Sequence, residues 1–507
     1  MSRMLKALAW VAPRAAMARA RALVALDANR AYDGARRDRR TGGWDARSGS
    51  PNTAIAHALD ALRDRSHDLV RNTSIGTRTL DVKVAHVVGT GIVMKAATGS
   101  DRDDRRLDEL FGEWAETCDV EGQLDLPGLQ ALAVRAMYEG GDSVTRFVPR
   151  RIGQGRRVPL ALQVLEGAHI DTMRDVMSEG RRTRLGVALG EWGIREGLWL
   201  FPEHPSEWIS GAILNGGVPL LSRFVPAADV AHLYRADRPG QLRGVPIFAP
   251  ILMDAKDLAD LREAMIVKAR VESCFGAFVT STGAARTLAD VKQDATDPRR
   301  SIEALSPGMI SYLDEGETVT FAQPTSSGQF PEVNLTTAMS TAAGVGITHD
   351  ELTGDVRQAN YSSMRAGRII NRRITEQDQW LTVVPRLLRP IGRRFIETAV
   401  MAGLLRPKPS WRFEYVMPAA EIIDPKKDLE ADVAAVRAGR MSPQQFIQGW
   451  GQDWRKVIAD TEAFFAEADQ RKIVLDIDPR RVTQTGIAQQ VPATTVPADS
   501  AAGQPET

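Results

Sequence analysis

The first part of the chain shows apolar residues at helical spacing. Between residues 53 and 72 they recur at steps of three and four, which predicts a helix with one buried face. This face carries Ile55, Leu59, Leu62, Ser66, Leu69 and Val70. A second apolar stretch runs to Val88, and a short strand is expected at 92–95. Two further helices are expected at 106–117 and 126–139, the first from the helical spacing of Leu107, Leu110, Phe111 and Trp114.

Residues 143–235 change to short β-type runs separated by Gly, Pro and Arg clusters, which indicates a mainly antiparallel sheet. We interpret residues 181–184 as a solvated loop within this region. Helices and strands in separate blocks are typical of an α+β fold.

A long helix is predicted from Pro250 to Phe275, where a narrow apolar stripe is flanked by charged residues. Its ~25 residues correspond to about 37 Å. Such a stripe favours packing against neighbouring helices. Residues 276–330 are predicted to form a separate module with strand-like runs at 277–280, 309–313 and 318–321, and they hold four basic and seven acidic residues.

The rest of the chain is predicted to be largely helical. A short helix is expected at 332–343, a loop at 347–361, and a longer helix at 362–384 that Pro385 and Pro390 bend or end. Further helices are predicted at 386–403, 427–438 and 443–468. Beyond Leu475 the composition predicts a disordered tail.

Composition narrows the function classes. The 507 residues are 43% hydrophobic with a net charge of +1, which argues against a disordered chain and a generic basic nucleic-acid coat. Two cysteines, Cys118 and Cys274, exclude a disulfide framework. The charge is segregated, because residues 1–47 hold eleven basic and four acidic residues. This start is interpreted as a basic arm; an organellar presequence or membrane-surface helix is the alternative.

A search for catalytic motifs is negative. The sequence contains no GxxxxGK(S/T), GxSxG, HExxH or CxxC motif, so we predict no catalytic residue, no metal and no cofactor. His349 beside Asp350 leaves an uncharacterised hydrolase as an alternative, although a solvated loop is the simpler interpretation.

A basic helix start is the one charge feature that points to a ligand. Five arginines and no acid lie between residues 356 and 373, namely Arg357, Arg365, Arg368, Arg372 and Arg373. With Asn360 and Tyr361 at the helix start, these groups could contact phosphates without reading a base sequence. A solvated or ion-paired helix face is the alternative.

Two long segments resemble lambda-type phage portal proteins. They are residues 229–252, DVAHLYRADRPGQLRGVPIFAPIL, and residues 346–367, GITHDELTGDVRQANYSSMRAG. Three shorter segments are similar too: residues 32–44 (YDGARRDRRTGGW), 65–72 (RSHDLVRN) and 88–92 (VGTGI). The resemblance covers nearly the whole chain.

The resemblance implies a ring, usually of twelve subunits, at one capsid vertex, through which double-stranded DNA enters and leaves. The implied fold is α+β with a wing, a two-helix stem, a small β-containing clip and a helical crown. The implied segments are 1–50 (arm), 51–250 (wing), 251–275 and 331–346 (stem helices), 276–330 (clip), 347–361 (tunnel loop), 362–410 (long kinked helix and wing return), 411–474 (crown) and 475–507 (tail).

The resemblance also implies roles for residues. The tunnel-loop candidates for contacting DNA are Arg357, Gln358, Asn360, Tyr361, Arg365 and Arg368. The clip candidates for docking terminase are Asp290, Asp294, Asp297, Asp314 and Glu315. The stem candidates for packing between subunits are Leu258, Leu261 and Met265. An alternative for the arginines is that they bridge neighbouring subunits through Asp350, Glu351 or Asp355.

The implied partners are other copies of the chain, the large terminase subunit, the major capsid protein and scaffold, head-completion and tail adaptor proteins, and DNA of any sequence. A membrane is not among them. The implied location is the virion, with host cytoplasm during assembly. The resemblance implies no enzyme, since the packaging ATPase is the separate terminase.

Overall fold

The computed structural model describes residues 17, 19, 49–151, 157–178, 181–207, 220–274, 278–281, 293–294, 297–301, 317–320, 330–357, 360–419, 424–473, 475, 477–478 and 480. The chain divides into two compact units, residues 1–54 and 55–507. In the first unit, residues 17 and 19 are helical and helix α1 (Pro51–Ala56) begins. The predicted basic arm otherwise lies outside the described residues.

Four further helices build the first part of the larger unit: α2 (Leu59–Asn72), α3 (Ser74–Val87), α4 (Asp101–Ala115) and α5 (Leu126–Gly140). The helix predicted at 53–72 is therefore divided between α1 and α2, but its apolar face is buried as expected. Side-chain caps fix two of the starts: Thr73 accepts a hydrogen bond from the Gly76 N–H, and Asp125 accepts one from Gly128.

A three-stranded antiparallel sheet packs against α5. Its strands are β2 (Asp142–Pro149), β3 (Leu160–Glu166) and β9 (Val230–Tyr234), in the order β3-β2-β9. Residues from these strands and from α2–α5 join one hydrophobic core. The core continues into the long helix near the end of the chain, so distant segments are packed together.

A second, five-stranded antiparallel sheet has the order β4-β5-β6-β7-β8. Its strands are β4 (Val176–Ser178), β5 (Arg181–Arg184), β6 (Val187–Leu189), β7 (Arg195–Leu200) and β8 (Arg223–Pro226). The prediction of a solvated loop at 181–184 is wrong, because this segment is β5. Thr183 is buried between exposed or half-buried arginines, so the alternation suits a sheet with one covered face.

Strand β14 (Phe413–Val416) was not predicted. It pairs antiparallel with β1 (Val93–Ala96), which lies far earlier in the chain. Residues 413–416 are therefore a strand, whereas the segment 411–474 was expected to be helical. Phe413 packs its ring 4.7 Å from that of Phe111, beside Trp114 and Phe395. A four-residue strand has little signal of its own, and its stability comes from this aromatic cluster.

Two helices flank the acidic module: α6 (Leu252–Cys274) and α7 (Phe330–Val345). They contact each other, and Arg262 Nε donates to Asn334 Oδ1 at 3.2 Å. Between them the backbone forms two antiparallel pairs, β10 (Phe278–Ser281) with β13 (Glu317–Thr320) and β11 (Gln293–Asp294) with β12 (Asp297–Ser301). The strand-like run expected at 309–313 lies outside the described residues.

A long continuous helix follows the short helix α8 (His349–Thr353). It begins as α9 (Tyr361–Gln377), becomes a π-helix at Asp378–Leu388, and continues as α10 (Arg389–Met401). Neither Pro385 nor Pro390 ends it. Proline lacks an N–H and crowds the carbonyl four residues earlier, and around Pro385 the backbone has the π-helical form instead of the α-helical one. Pro390 lies in the first turn of α10, where proline is tolerated.

Three helices end the described chain: α11 (Pro425–Arg437), α12 (Pro443–Gly449) and α13 (Trp454–Gln470). The single helix expected at 443–468 is thus divided. Residues 481–507 of the predicted tail lie outside the described residues. Of the predicted tail, residues 475, 477–478 and 480 are described, and the Arg480 guanidinium lies over the Phe465 ring on α13. None of the helices described here is long and apolar enough to span a membrane.

Candidate functional site

The segment 347–361 is not the uninterrupted loop that the sequence predicted. Helix α8 occupies its first half, since the Glu351 carboxylate accepts a hydrogen bond from the Thr348 N–H at 3.0 Å and Gly354 ends the helix at a φ of 71°. A left-handed φ of this kind favours glycine. The exposed part that joins α8 to α9 is therefore shorter than expected.

Glu351 fixes α8 against the body of the protein. Its carboxylate pairs with His86 Nε2 on α3 at 2.9 Å and accepts from Asn371 Nδ2 on α9 at 2.8 Å, while Arg78 donates to its carbonyl at 3.0 Å. Burial raises the pKa of Glu351, but the hydrogen bonds from His86 and Thr348 outweigh it and lower the pKa to about 2. The carboxylate is therefore ionised at neutral pH and holds three helices together.

The hydrolase alternative would depend instead on His349 and Asp350, the two residues before Glu351. Within the described part of the chain, no hydrogen bond joins His349 to Asp350, and no cluster of three metal-ligating side chains occurs.

Arg357 lies in the exposed segment, and its side chain is 87% exposed. Its Nε and Nη2 donate to the two carboxylate oxygens of Asp355 at 2.9 and 2.7 Å, which keeps the pKa of Asp355 well below its usual range. Asp355, which was considered as a partner for an arginine of a neighbouring subunit, thus pairs with Arg357 of its own chain. Asn360 caps α9, with Oδ1 accepting from Ser363 N–H at 2.8 Å. Tyr361 begins α9, and Gln358 lies outside the described residues.

Arg365, Arg368 and Arg372 share one flank of α9, because their spacing of three and four residues places them about one turn apart. We call these three the arginine flank. Arg365 pairs with Asp428 of α11 at 3.3 Å, and Arg372 pairs with Glu376 at 2.8 Å. The positive charge of residues 356–373 is therefore partly compensated by carboxylates from outside this stretch. Sequence spacing alone does not reveal these pairs.

The predicted stem residues differ in their surroundings. Leu258 is 1% exposed and belongs to the core of its own chain, so its prediction as a residue that packs between subunits is wrong. Leu252 and Ala255 belong to the same core, so the first turns of α6 pack within the subunit. Leu261 and Met265, one and two turns later, are only half-buried.

The predicted clip residues are described only in part. Asp294 and Asp297 are register partners across the β11–β12 pair. Asp290, Asp314 and Glu315 lie outside the described residues.

A buried ion pair, which the sequence did not reveal, joins the two sheets. The Asp142 carboxylate on β2 accepts from Arg243 Nε at 2.7 Å and from Gly244 N–H at 2.7 Å, and it pairs with His232 on β9 at 3.0 Å. Arg243 also donates to the Leu185 carbonyl at 3.2 Å. Burial lowers the pKa of His232 to about 4 despite Asp142, so the ring is neutral at pH 7. Residues of the resemblance segment 229–252 therefore help to hold the two sheets together.

A second buried polar cluster anchors the start of the π-helix. Asp378 Oδ2 accepts from the Tyr138 hydroxyl at 2.7 Å and lies 3.7 Å from Lys83 Nζ. Gln379 donates to the Val87 carbonyl at 2.9 Å. Burial lowers the pKa of Lys83 and raises that of Tyr138. The cluster fixes the long helix, and with it the arginine flank, to α3 and α5.

The chain matches one protein family over most of its length. The model of the family described as phage portal protein, lambda family, matches residues 37–379, which include both resemblance segments, α9 and the arginine flank. A probable portal protein of Halomonas phage phiHAP-1 is 24% identical over 451 residues, which are 84% of each chain.

Several solved structures are similar at low identity. A chain from the neck of a native gene transfer agent particle, computed with C12 symmetry, is 14% identical with a TM-score of 0.43; the match covers 75% of this chain and 91% of that one. An HK97 family phage portal protein from Corynebacterium diphtheriae is 10% identical with a TM-score of 0.32, over 72% of this chain and 96% of that one.

The family model covers the three-stranded and five-stranded sheets, α6, α7 and the long helix as far as residue 379. The helices and antiparallel sheets also confirm the predicted α+β class. The chain therefore belongs to the lambda family of phage portal proteins.

Proposed function

We propose that the chain assembles into a ring of twelve copies at one capsid vertex, where it serves as the channel for packaging and ejecting double-stranded DNA. Its place is the virion, after assembly in the host cytoplasm. The observation that carries the proposal is the family match over residues 37–379, which includes the proposed stem, the proposed clip and the arginine flank.

The described elements support a division of the subunit into working parts. Helices α6 and α7 contact each other at the base of the acidic module, as a stem that carries a clip would. We assign 251–275 and 331–346 to the stem, 276–330 to the clip, 51–250 to the wing and 362–410 to the long helix and wing return. Residues 411–474 are assigned to the crown, with the first of them joining the wing through β14.

The clip is the proposed docking site for the large terminase subunit, followed by head-completion and tail adaptor proteins. Its seven acidic residues against four basic ones would suit a basic partner surface. The wing is the proposed contact for the major capsid protein and scaffold. The subunit itself is proposed to catalyse no reaction, because terminase would supply the ATPase.

The arginine flank is the proposed DNA contact. A channel must let DNA slide, so each contact should be electrostatic, independent of sequence and weak. Pairing of Arg365 with Asp428 and Arg372 with Glu376 lowers the net charge that the flank presents. Twelve copies would still provide enough positive charge to retain the phosphate backbone without clamping it.

Replacing Arg365, Arg368 and Arg372 together with Ala is expected to reduce the amount of DNA packaged per particle severalfold. The three charges are removed from every copy, whereas ring assembly should persist because α9 is held by Glu351 and Asp378 from its other side. The measurement is packaged DNA length in particles assembled with the variant, alongside ring formation of the purified protein.

The matched control is Arg102→Ala with Arg105→Ala and Arg106→Ala, which removes three arginines from α4 in the proposed wing. We expect this variant to package normally. Normal packaging by the arginine-flank variant, or an equal loss in both variants, would contradict a specific role of the flank.

A further inference from the structure

The chain reverses direction at the end of α13. Lys472 has a left-handed φ of 58°, and the N–H groups of Lys472 and Ile473 donate to the carbonyls of Asp469 and Ala468 at 3.1 and 2.9 Å. Bonds of this kind satisfy carbonyls that the last helical turn leaves free, and they turn the backbone away from the helical path. The residues that follow can therefore return along the side of α13.

The position of Arg480 shows that the chain does return. Its guanidinium lies 4.6 Å from the centre of the Phe465 ring, more than one turn before the end of α13, and its Nη2 lies 3.4 Å from Asp469 Oδ2. Asp478 holds the same side chain, since its two carboxylate oxygens accept from Arg480 Nε and Nη2 at 2.9 Å each. By Arg480 the chain has thus turned back toward the start of the helix.

An open groove begins at Arg480 and continues along α13. Its volume is about 410 Å³. The lining residues on α13 recur at steps of three and four, which places them on one face of the helix: Ile458, Thr461, Glu462, Phe465, Ala466 and Asp469. Phe465, beneath Arg480, is half-buried, whereas Ile458 at the far end is 52% exposed. Over the described chain, the part of the groove nearer the start of α13 is therefore left open.

Helix α13 needs more cover than the described residues supply. Over the described chain it contains no buried residue, although it is 17 residues long. By contrast, α5 has 15 residues and buries eight. Most helical stability in proteins comes from the packing of an apolar face, so a segment that covers the groove would stabilise α13.

We propose that residues 481–485 lie extended in this groove, antiparallel to α13, as a strap that covers Ile458. These residues lie outside the described ones, and the chain reaches them at Arg480, which is already at the end of the groove. They therefore enter the groove without an intervening loop. Two extended residues span about 7 Å, roughly the rise of four to five helical residues, so Val482 reaches the turn between Thr461 and Ile458.

The sequence of the strap suits an extended segment. It reads Arg-Val-Thr-Gln-Thr, in which three of the five residues are β-branched and favour extended backbone. Side chains alternate along such a segment, so Val482 lies on the side of Arg480, facing α13, while Thr483 faces away. Val482 is therefore the apolar contact that the strap offers to Ile458.

The charges of the groove favour this segment over an acidic partner. The lining contains two carboxylates, Glu462 and Asp469, and one guanidinium, that of Arg480, which pairs with Asp469. The strap adds one more basic residue, Arg481, and no acidic one, so strap and groove are complementary in charge. Because the strap belongs to the same chain as α13, its docking does not depend on the ring of the proposed function.

Hydrogen exchange of the full-length protein tests the contact of Val482. We expect Val482→Asp to speed the exchange of α13 peptides (454–470) about tenfold, because a charge would replace the apolar contact that stabilises the helix. Thr483→Asp is the matched control, since it adds the same charge on the side that faces away from α13, and we expect no change. Peptides from α5 (126–140) should stay protected in both variants. Unchanged exchange in Val482→Asp, or equal acceleration in both variants, would overturn the inference.

Cross-linking tests where the strap lies and which chain supplies it. Ile458→Cys with Val482→Cys is placed in a Cys274→Ser chain, in which the remaining native thiol, Cys118, is buried. We expect a short bismaleimide to join the two new thiols within one chain, as peptide mass mapping would show. In the matched control, Asp460→Cys on the opposite side of α13 replaces Ile458→Cys, and the yield should fall severalfold. Equal yields for the two pairs, no product, or a product only between two chains would each contradict the strap, and the last result would assign the groove to another copy.

Discussion

Arg243→Ala is expected to lower the free energy of unfolding by about 3–5 kcal/mol, the largest loss from any single substitution considered. Arg243 and Asp142 are both fully buried, and Arg243 also donates to Thr172 and to the carbonyls of Leu185 and Gly167. Its removal leaves the Asp142 carboxylate buried without its cation and leaves those acceptors without a donor. Chemical denaturation followed by tryptophan fluorescence measures the loss.

Arg135→Ala is the matched control for this substitution. Arg135 pairs with Asp81 at the same 2.7 Å, but the two side chains are 37% and 53% exposed, so we expect a cost below about 1 kcal/mol. Equal effects of the two substitutions would show that the buried pair does not join the two sheets as described.

Asp378→Asn is expected to cost about 3 kcal/mol, since it leaves the Lys83 ammonium buried without a carboxylate. Asparagine keeps an oxygen that can accept from the Tyr138 hydroxyl, so the change mainly removes charge. Lys83 is 1% exposed and lies in the same core as α5, which makes an unpaired charge there costly. The unfolding free energy is again the measurement.

The double variant Lys83→Met with Asp378→Asn separates charge from packing. Because the uncompensated ammonium is gone, we expect this variant to be more stable than Asp378→Asn alone. If the two substitutions instead add their costs, Lys83 and Asp378 do not act as a pair, and the anchor of the π-helix must be sought in Gln379 and its bonds to α3.

The local spacing of apolar residues was sufficient to predict the helices that bury one face. Leu107, Leu110, Phe111 and Trp114 were predicted from spacing alone and line the core in α4. Spacing works here because burial on one side of a helix imposes a repeat that the sequence must carry.

Pairing between distant segments was not predictable in the same way. Strand β14 depends on β1 and an aromatic cluster, and β5 depends on neighbours that cover Thr183. Likewise the arginine flank looked uncompensated because Asp428 and Glu376 lie outside the stretch without acids. Each of these features is set by tertiary contacts, which override local preference.

The resemblance segments also acquired a different meaning. Residues 229–252 were expected to indicate a family, and the structure shows Arg243, Gly244 and His232 around Asp142 in a buried joint. In the segment 346–367, Glu351 fixes α8 to α3 and α9. The proposed DNA contact, the arginine flank, begins at Arg365 within the second segment, and its other members, Arg368 and Arg372, lie just beyond it.

Imaging of the purified full-length chain, combined with its native mass, tests the central claim most directly. The proposed channel predicts ring-shaped particles with a central hole and a mass near twelve times the 55.5 kDa of one subunit. A compact monomer or dimer at every concentration and salt condition, with no central hole, would contradict it.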